Sequence, residues 1–397
     1  MRASAGREDR ARLGERMGAS NLERSGGRLA WLHGASVGES LALLPLVELL
    51  SGLHPQVEML VTSGTTSSAR ILASRLPPGV KHQFIPVDLP RAVNGFLDHW
   101  RPDLGIFVES DLWPNLIHSA KARGTRLALV SARLSRRSLE RWRLAPGLLR
   151  SLLTAFDLIL ARDQAVVEDL ANFGIVVDGV ADLKFAAVSL PADTKDLVRL
   201  RGGVAGRRVV VASSTHSGEE ALIARAFTRI PLAERRKALL ILAPRHSRRA
   251  DLIAREIRRL GLTFVRRSRR QSLEGADVCL ADEIGELGLW YRLADLAVLG
   301  GSLKPGAGGH NPIEPARLDC PIVHGPFIDN WPVYRQLDAF GAARIVHQAE
   351  DLTAIFAELI RDPSSLSSVA LAARNFVEAK EAQTKDALGR VLEIAPW

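Results

Sequence analysis

A chain of 397 residues with 47% hydrophobic and 24% charged content is long enough to bury more than one core, which excludes disorder for most of its length. The formal charge of +9 admits nucleic acid, an anionic membrane surface or small anions as partners, but only 5% of residues are aromatic, so platforms for stacking bases are few and nucleic-acid binding is not expected. The two cysteines, Cys279 and Cys320, lack the number and spacing of a disulfide framework or a structural zinc site, and no apolar stretch reaches the roughly 18 residues that span a bilayer.

Residues 1–28 are polar and arginine-rich, without the apolar core of a secretory signal, and predict loose chain or a short surface helix. From there one pattern recurs: a short apolar run, a Gly/Ser/Thr turn, an amphipathic stretch. It predicts strands near 28–33, 57–62, 83–87, 104–108, 127–131 and 158–161, most of them followed by helices. The pattern lapses around 189–206, where Pro191, Asp193 and Arg201-Gly202-Gly203 read as a linker. It restarts with strands near 208–212, 238–242, 263–266, 278–281, 296–299 and 321–324. Alternation of this kind means parallel sheets, so the fold class is α/β: two Rossmann-like doubly wound domains, 29–188 and 207–397. Their strand carboxyl ends, where open sheets bind ligands, are expected to face a common cleft.

The turns at those strand ends carry the candidate chemistry. Trp31 to Ser40 runs strand, glycine turn and helix start, and Glu39 falls in the first helical turn, where it complements the helix dipole or acts as a base. Glu109 and Asp111 flank Ser110 ahead of a rigid Trp113-Pro114 step. Ser213 to Glu220 is a third turn of hydroxyls and backbone donors. Pro244 and Arg245 end another strand, and a guanidinium there suits a phosphate or carboxylate. Most of the other arginines from Arg245 to Arg270 read as a solvated helix face. The run from Gly300 to Pro315 holds five glycines and His310, then Asn311 as N-cap with Pro312 at the first helical position and Glu314 in the first turn. Free N–H groups there would point at an anion. The chain contains no Asp-x-Asp, P-loop, His-Glu-x-x-His or Gly-x-Gly-x-x-Gly motif, which removes the usual support for a metal-held diphosphate donor.

Together the segments WLHGASVGES (31–40), VTSGTTSSA (61–69), HQFIPVDLP (82–90), VESDLWPN (108–115), SARLS (131–135), ASSTHSGEE (212–220), APRHSRR (243–249), IGELGLWY (284–291) and GGSLKPGAGGHNPIEPA (300–316) resemble, in this order, the 3-deoxy-D-manno-oct-2-ulosonic acid (Kdo) transferases. The resemblance implies a GT-B glycosyltransferase fold and an inverting, metal-independent mechanism without a cofactor. It also implies CMP-Kdo as donor and a lipid A precursor of the lipid IVA type as acceptor, in lipopolysaccharide biosynthesis. On it, Glu39 matches the general base, and Glu109, Asp111 and Lys184 match positions that stabilise the transition state or the donor sugar. Pro244, Arg245, Ile284, Gly285, Glu286, Asn311, Pro312, Ile313 and Glu314 match the CMP-binding segments.

Two departures stand out: Ala181-Asp182 occupies the place of a usual Gly-Asn, and Asp111 that of a usual Glu. The family commonly begins with an apolar anchor, and this sequence starts after it: either the sequence is truncated or membrane contact relies on surface features alone, and peripheral attachment at the cytoplasmic face of the inner membrane is the expectation. The rival reading is another GT-B sugar-nucleotide enzyme, a UDP-sugar transferase or epimerase, which competition between CMP and UDP separates.

Overall fold

In the computed structural model, which describes residues 8–134, 136–204 and 206–397, the apolar runs become strands of two sheets whose every pairing is parallel. The first holds β1 Leu29–His33, β2 Glu58–Ser63, β3 Lys81–Phe84, β4 Leu104–Val108, β5 Arg126–Ala132, β6 Leu158–Ala161 and β7 Gly179–Val180, in the order β3-β2-β1-β4-β5-β6-β7. The second holds β8 Arg208–Thr215, β9 Ala238–Pro244, β10 Phe264–Arg266, β11 Val278–Leu280, β12 Leu296–Leu299, β13 Ile322–His324 and β14 Arg344–Ile345, in the order β10-β11-β9-β8-β12-β13-β14. Strand direction reverses its progress across the sheet beside β1 and β4 in one, and beside β8 and β12 in the other. Those are the places where an open sheet leaves a crevice for a ligand.

Both faces of each sheet are covered, which is why the strands read as continuous apolar runs and not as alternations. The strand period of two sends Leu29 and Trp31 into one cluster, with Phe96, Trp100 and Phe107, and Ala30 and Leu32 into the opposite one, with Val47, Val61 and Ile106. The helix Pro90–Trp100 closes the first of these by burying Val93, Phe96, Leu97 and Trp100 along one stripe. In the second sheet Val210, Ala212, Leu240 and Leu242 join Ile223, Phe227 and Phe356 in the corresponding layer.

The chain divides into two units, Met1–Val188 with Lys380–Trp397, and Ser189–Ala379. Two features depart from the sequence reading. The stretch 189–206, read as a linker, contains the helix Thr194–Val204, and its described residues belong to the second unit; Ala205 lies outside the described residues. Leu197, Leu200 and Val204 are buried at helical spacing, a period that Pro191 before it and Gly202-Gly203 within it obscure. The second domain does not run to residue 397, because the helix Ser367–Glu393 carries Ala387, Leu388 and Val391 into the cluster of Ala30 and Leu32.

The described part of the N-terminal segment, from Glu8 on, is fastened to the first unit. Glu15 Oε2 accepts from Phe84 N at 2.7 Å, Arg24 Nε donates to the Trp100 carbonyl at 2.8 Å, and Arg12 Nη2 donates to the His82 carbonyl at 3.1 Å. Gly18 lies so close to the helix Pro90–Trp100 that a Cβ would stand 2.0 Å from the Ala92 carbonyl oxygen. Among the described residues no helix is long and apolar enough to cross a membrane.

Candidate active site

At the end of β1, Gly34 lets the turn fold back on the next helix, since a Cβ there would stand 2.9 Å from the Glu39 carbonyl carbon. Ser36 is the N-cap of the helix Val37–Ala42, with its Oγ accepting from Glu39 N at 3.3 Å. In return Glu39 Oε1 accepts from Ser36 Oγ at 2.9 Å and Oε2 from Ala35 N at 2.8 Å, a capping box displaced by one residue. The carboxylate is aimed by two donors and remains half-buried, so a substrate hydroxyl can still reach it.

Beside it, His33 is wholly buried. Its Nδ1 contacts Thr62 Oγ1 at 2.9 Å and its Nε2 contacts Asp111 Oδ2 at 2.8 Å. Burial pushes the Asp111 carboxyl up, but the His33 hydrogen bond and charge, the Trp113 indole and the Arg16 guanidinium outweigh it, so Asp111 lies below its ordinary value. Glu109, just past β4, has a left-handed backbone with φ of 62°. That conformation is uncommon for a side-chain-bearing residue and is held by Glu109 N donating to the Val130 carbonyl at 3.1 Å. Ser131, at φ 54°, sits where the register of β5 with β6 shifts. Its Oγ donates to the Ala181 carbonyl and accepts from Leu183 N, both at 2.9 Å, which fixes the turn bearing Asp182 and Lys184. Burial pushes the Asp182 carboxyl up, against its bond from Lys184 N and the charges of Lys184 and Arg162, while the Glu109 charge adds to the rise. Glu39, Glu109, Asp111 and Lys184 therefore all stand at the carboxyl edge of one sheet. Ser135, which ends the segment 131–135, lies outside the described residues.

The second sheet repeats the device with other groups. Ser214 is left-handed at φ 54°, where the register of β8 with β9 shifts. β8 and β12 approach so closely that a Cβ on Gly300 would stand 2.6 Å from Thr215 Cα. Glu219, wholly buried at the start of the helix Glu219–Thr228, accepts three backbone N–H groups: His216 N at 2.7 Å, Gly301 N at 2.8 Å and Leu303 N at 2.9 Å. One carboxylate thus fixes the start of the glycine loop, and Asn330 Nδ2 holds its middle through the Ala307 carbonyl at 2.7 Å.

Around this loop stand the predicted donor-binding residues. Pro244 ends β9, and the exposed Arg245 donates its backbone N–H to the Thr215 carbonyl at 3.0 Å. Its guanidinium charge acts on both His310 and Glu314. The sequence reading of the next helix is one residue early. Pro312 is the N-cap of the one-turn helix Ile313–Ala316, and Asn311 lies before it, accepting from Ile313 N at 3.0 Å and donating to Glu314 Oε1 at 3.2 Å. Burial pushes the Glu314 carboxyl above its ordinary value despite that bond and the charges of Arg245 and Arg317.

Ile284 is 84% exposed and Gly285 has φ of 93°, so this turn stands at the surface. Glu286 has a partner already: Arg267, 4% exposed, donates to both its oxygens at 2.7–3.1 Å, pairs with Asp196 and lies over the Trp290 ring at 5.6 Å. Sequence reasoning gives no role to His33, Thr62 or Glu219 individually, and it counts Arg267 within a run read mostly as a solvated helix face, whereas Arg267 is buried and tied to Glu286 and Asp196. Only Glu219 left a signal, as an acid in a strand-to-helix turn ahead of a glycine loop. Among the described residues no group of three or more His, Cys, Asp and Glu side chains is placed to hold a metal ion.

Known proteins share this chain's sequence pattern and its fold. A family profile described as 3-deoxy-D-manno-octulosonic-acid transferase matches residues 11–187. The 3-deoxy-D-manno-octulosonic acid transferase of Rickettsia bellii is 32% identical over 373 residues, covering 92% of this chain and 87% of its own length. That of Haemophilus influenzae is 32% identical over 335 residues, covering 83% and 78%. Among solved structures, a glycosyltransferase from Rickettsia africae superposes with a TM-score of 0.61 at 11% identity, covering 94% of this chain and 99% of its own, a likeness of fold.

Proposed function

Because the chain belongs to the 3-deoxy-D-manno-octulosonic acid (Kdo) transferase family and is a glycosyltransferase of lipopolysaccharide biosynthesis, we propose that it moves Kdo from CMP-Kdo to a lipid A precursor of the lipid IVA type with Glu39 as general base. In this reading an acceptor hydroxyl oxygen bonds to the anomeric carbon as its proton passes to the Glu39 carboxylate. The bond from that carbon to the phosphate oxygen breaks on the opposite face, which inverts the centre, and CMP leaves. Lys184 meets the sugar's carboxylate, while Glu109 and Asp111 stabilise the positive charge that develops at the anomeric carbon. The turns at Pro244-Arg245, Ile284-Gly285-Glu286 and Asn311 to Glu314 hold CMP, with Arg245 on the phosphate. No metal takes part, and the enzyme works as a peripheral protein at the cytoplasmic face of the inner membrane.

The observation that carries the assignment of the base is the double hydrogen bond that aims the half-buried Glu39 carboxylate at the carboxyl edge of its sheet. Mass spectrometry of the product from CMP-Kdo and a tetra-acylated lipid A precursor tests the whole reading. Addition of Kdo, undiminished by a chelator, is expected. Transfer from a UDP-sugar instead, or loss with EDTA that magnesium restores, would overturn it.

A further inference from the structure

Two imidazoles meet at the crevice of the second sheet. His216 follows β8, and its backbone N–H is fixed by Glu219. His310 ends the glycine loop, with its carbonyl accepting from the Tyr334 hydroxyl at 2.7 Å. Their Nε2 atoms are 2.8 Å apart, their planes differ by 11° and their centroids are 5.1 Å apart. That centroid distance is what two rings give when they meet tip to tip across a 2.8 Å contact, so the pair is coplanar and in line, not stacked face to face. Such an N–H···N bond has room for one hydrogen. Among the described residues neither Nδ1 bonds to a protein atom, and both rings are half-buried, so the two Nδ1 atoms are left for a ligand.

Counting protons gives the pair two useful states. When it is neutral, one ring donates through Nε2 and leaves its Nδ1 bare, while the other accepts and carries its hydrogen on Nδ1. One added proton fills the bare Nδ1, and the pair then offers two N–H donors and a positive charge. A second would place hydrogens on both Nε2 atoms and break the bond, so the pair titrates as one unit.

The surroundings oppose that first proton when no anion is present. Burial lowers His310 to about 4, aided by the charges of His216, Arg245 and His246. Lys304 lies beside Gly218, two residues after His216, and Arg317 and Arg245 both act on the nearby Glu314. Of the carboxylates here, Glu314 is pushed toward its neutral form by burial and Glu219 is occupied by three backbone N–H groups. A phosphate entering beside Arg245 reverses the balance, because it offsets the guanidinium and accepts from both Nδ1–H groups.

We propose that His216 and His310 form a single proton-coupled anion contact, which takes up one proton when the phosphate of the donor nucleotide enters. The leaving group then departs toward two N–H donors and a charge that the empty site does not carry. The proposal rests on the reading that this crevice holds the CMP part of the donor.

Calorimetric titration of the full-length protein with CMP at pH 7, in two buffers of different ionisation enthalpy, tests it. CMP's own phosphate, with its second pKa near 6, is then mostly dianionic and contributes little. Wild type is expected to take up roughly half a proton or more per CMP, and its association constant should fall as pH rises above 7. His310→Gln and His216→Gln each keep a hydrogen-bonding group near Nε2 but cannot be charged. Each should bind CMP roughly tenfold more weakly, with no proton uptake and little dependence on pH. If one variant melts below the assay temperature, the other and the wild-type pH profile carry the test. No CMP binding by wild type would sink the donor-site reading itself. Binding without uptake, or the same uptake in both variants, would overturn the histidine pair while leaving that reading intact.

Discussion

Glu39 and Glu219 occupy equivalent places, the first helical turn after the leading strand of each sheet, and their surroundings differ in kind. Glu39 receives one backbone N–H and one hydroxyl and stays half-buried; Glu219 receives three backbone N–H groups and is wholly buried. A carboxylate at a strand-to-helix turn can thus be a chemical group or a girder. What separates the two roles is burial and how much of the acceptor capacity the protein fills. In the first sheet two donors and partial exposure leave the carboxylate able to accept a proton, as the proposed base must. In the second the protein supplies three, and among the described residues the Nδ1 atoms of His216 and His310 and the guanidinium of Arg245 are left without a protein partner, as the proposed anion contact requires.

Substituting each acid by its amide tests that contrast. Glu39→Gln keeps the shape and a hydrogen bond but cannot take a proton, so kcat is expected to fall by the roughly 10²–10⁴-fold typical of losing a general base. CMP affinity should be unchanged, and stability should drop by no more than about 0.5–2 kcal/mol, as for a weakened cap. Normal melting with near wild-type turnover would remove Glu39 from the chemistry. Glu219→Gln should do the reverse. Its one oxygen cannot satisfy donors that now reach two, so a buried N–H meets an amide N–H₂, at roughly 1.5–3 kcal/mol for each lost bond to the charged group. The melting temperature should fall by several degrees and the KM for donor should rise, with kcat at saturating donor much less affected. A variant that melts like wild type would show that the glycine loop does not depend on this carboxylate.

The smallest effect separates the units by pH. His82 in the first is lowered to about 4 by burial and by the Arg12 charge, and His310 in the second to about the same value by burial and its basic neighbours. Unfolded histidines titrate near 6.5, so between those values the unfolded chain holds more protons than the folded one. Stability should therefore decline as pH falls from about 6.5 to about 4, by on the order of 1–3 kcal/mol for His82 and by less for His310, whose greater exposure screens its charge. Chemical denaturation across this range measures the decline. CMP should restore the share of His310 and leave that of His82, so equal protection of both units would argue against a local effect.

The sheets were legible because parallel strands covered on both faces are apolar throughout, and Leu104–Val108, Leu158–Ala161 and Leu296–Leu299 begin and end where the sequence places them. β7 and β14 were not, since two residues such as Arg344 and Ile345 carry no pattern of their own and pair only because a neighbouring strand is already in place. The positions of Glu39 and Arg245 at strand ends, and of Glu314 in the helical turn after the glycine loop, followed from the turns that precede them. The ties between distant turns did not: His33 with Asp111, Glu286 with Arg267, and His216 with His310 join residues whose proximity the fold alone creates. The helix Thr194–Val204 was hidden by its glycines, although Leu197 and Leu200 already held the period.

The helix Ser367–Glu393 begins among residues of the second unit and ends among those of the first, where Ala387, Leu388 and Val391 fill the layer beneath β1. Domains ordinarily fold in the order of their synthesis, the N-terminal one first. Here the ribosome makes β1 to β7 early and the side chains that seal one face of their sheet only after the second unit. The second unit, Ser189–Ala379, is fully synthesised before the first has all its parts. A stop codon shortly before Ala387 would therefore injure the half of the protein farthest from it along the gene, leaving Ala30, Leu32 and Leu183 without the last layer that covers them.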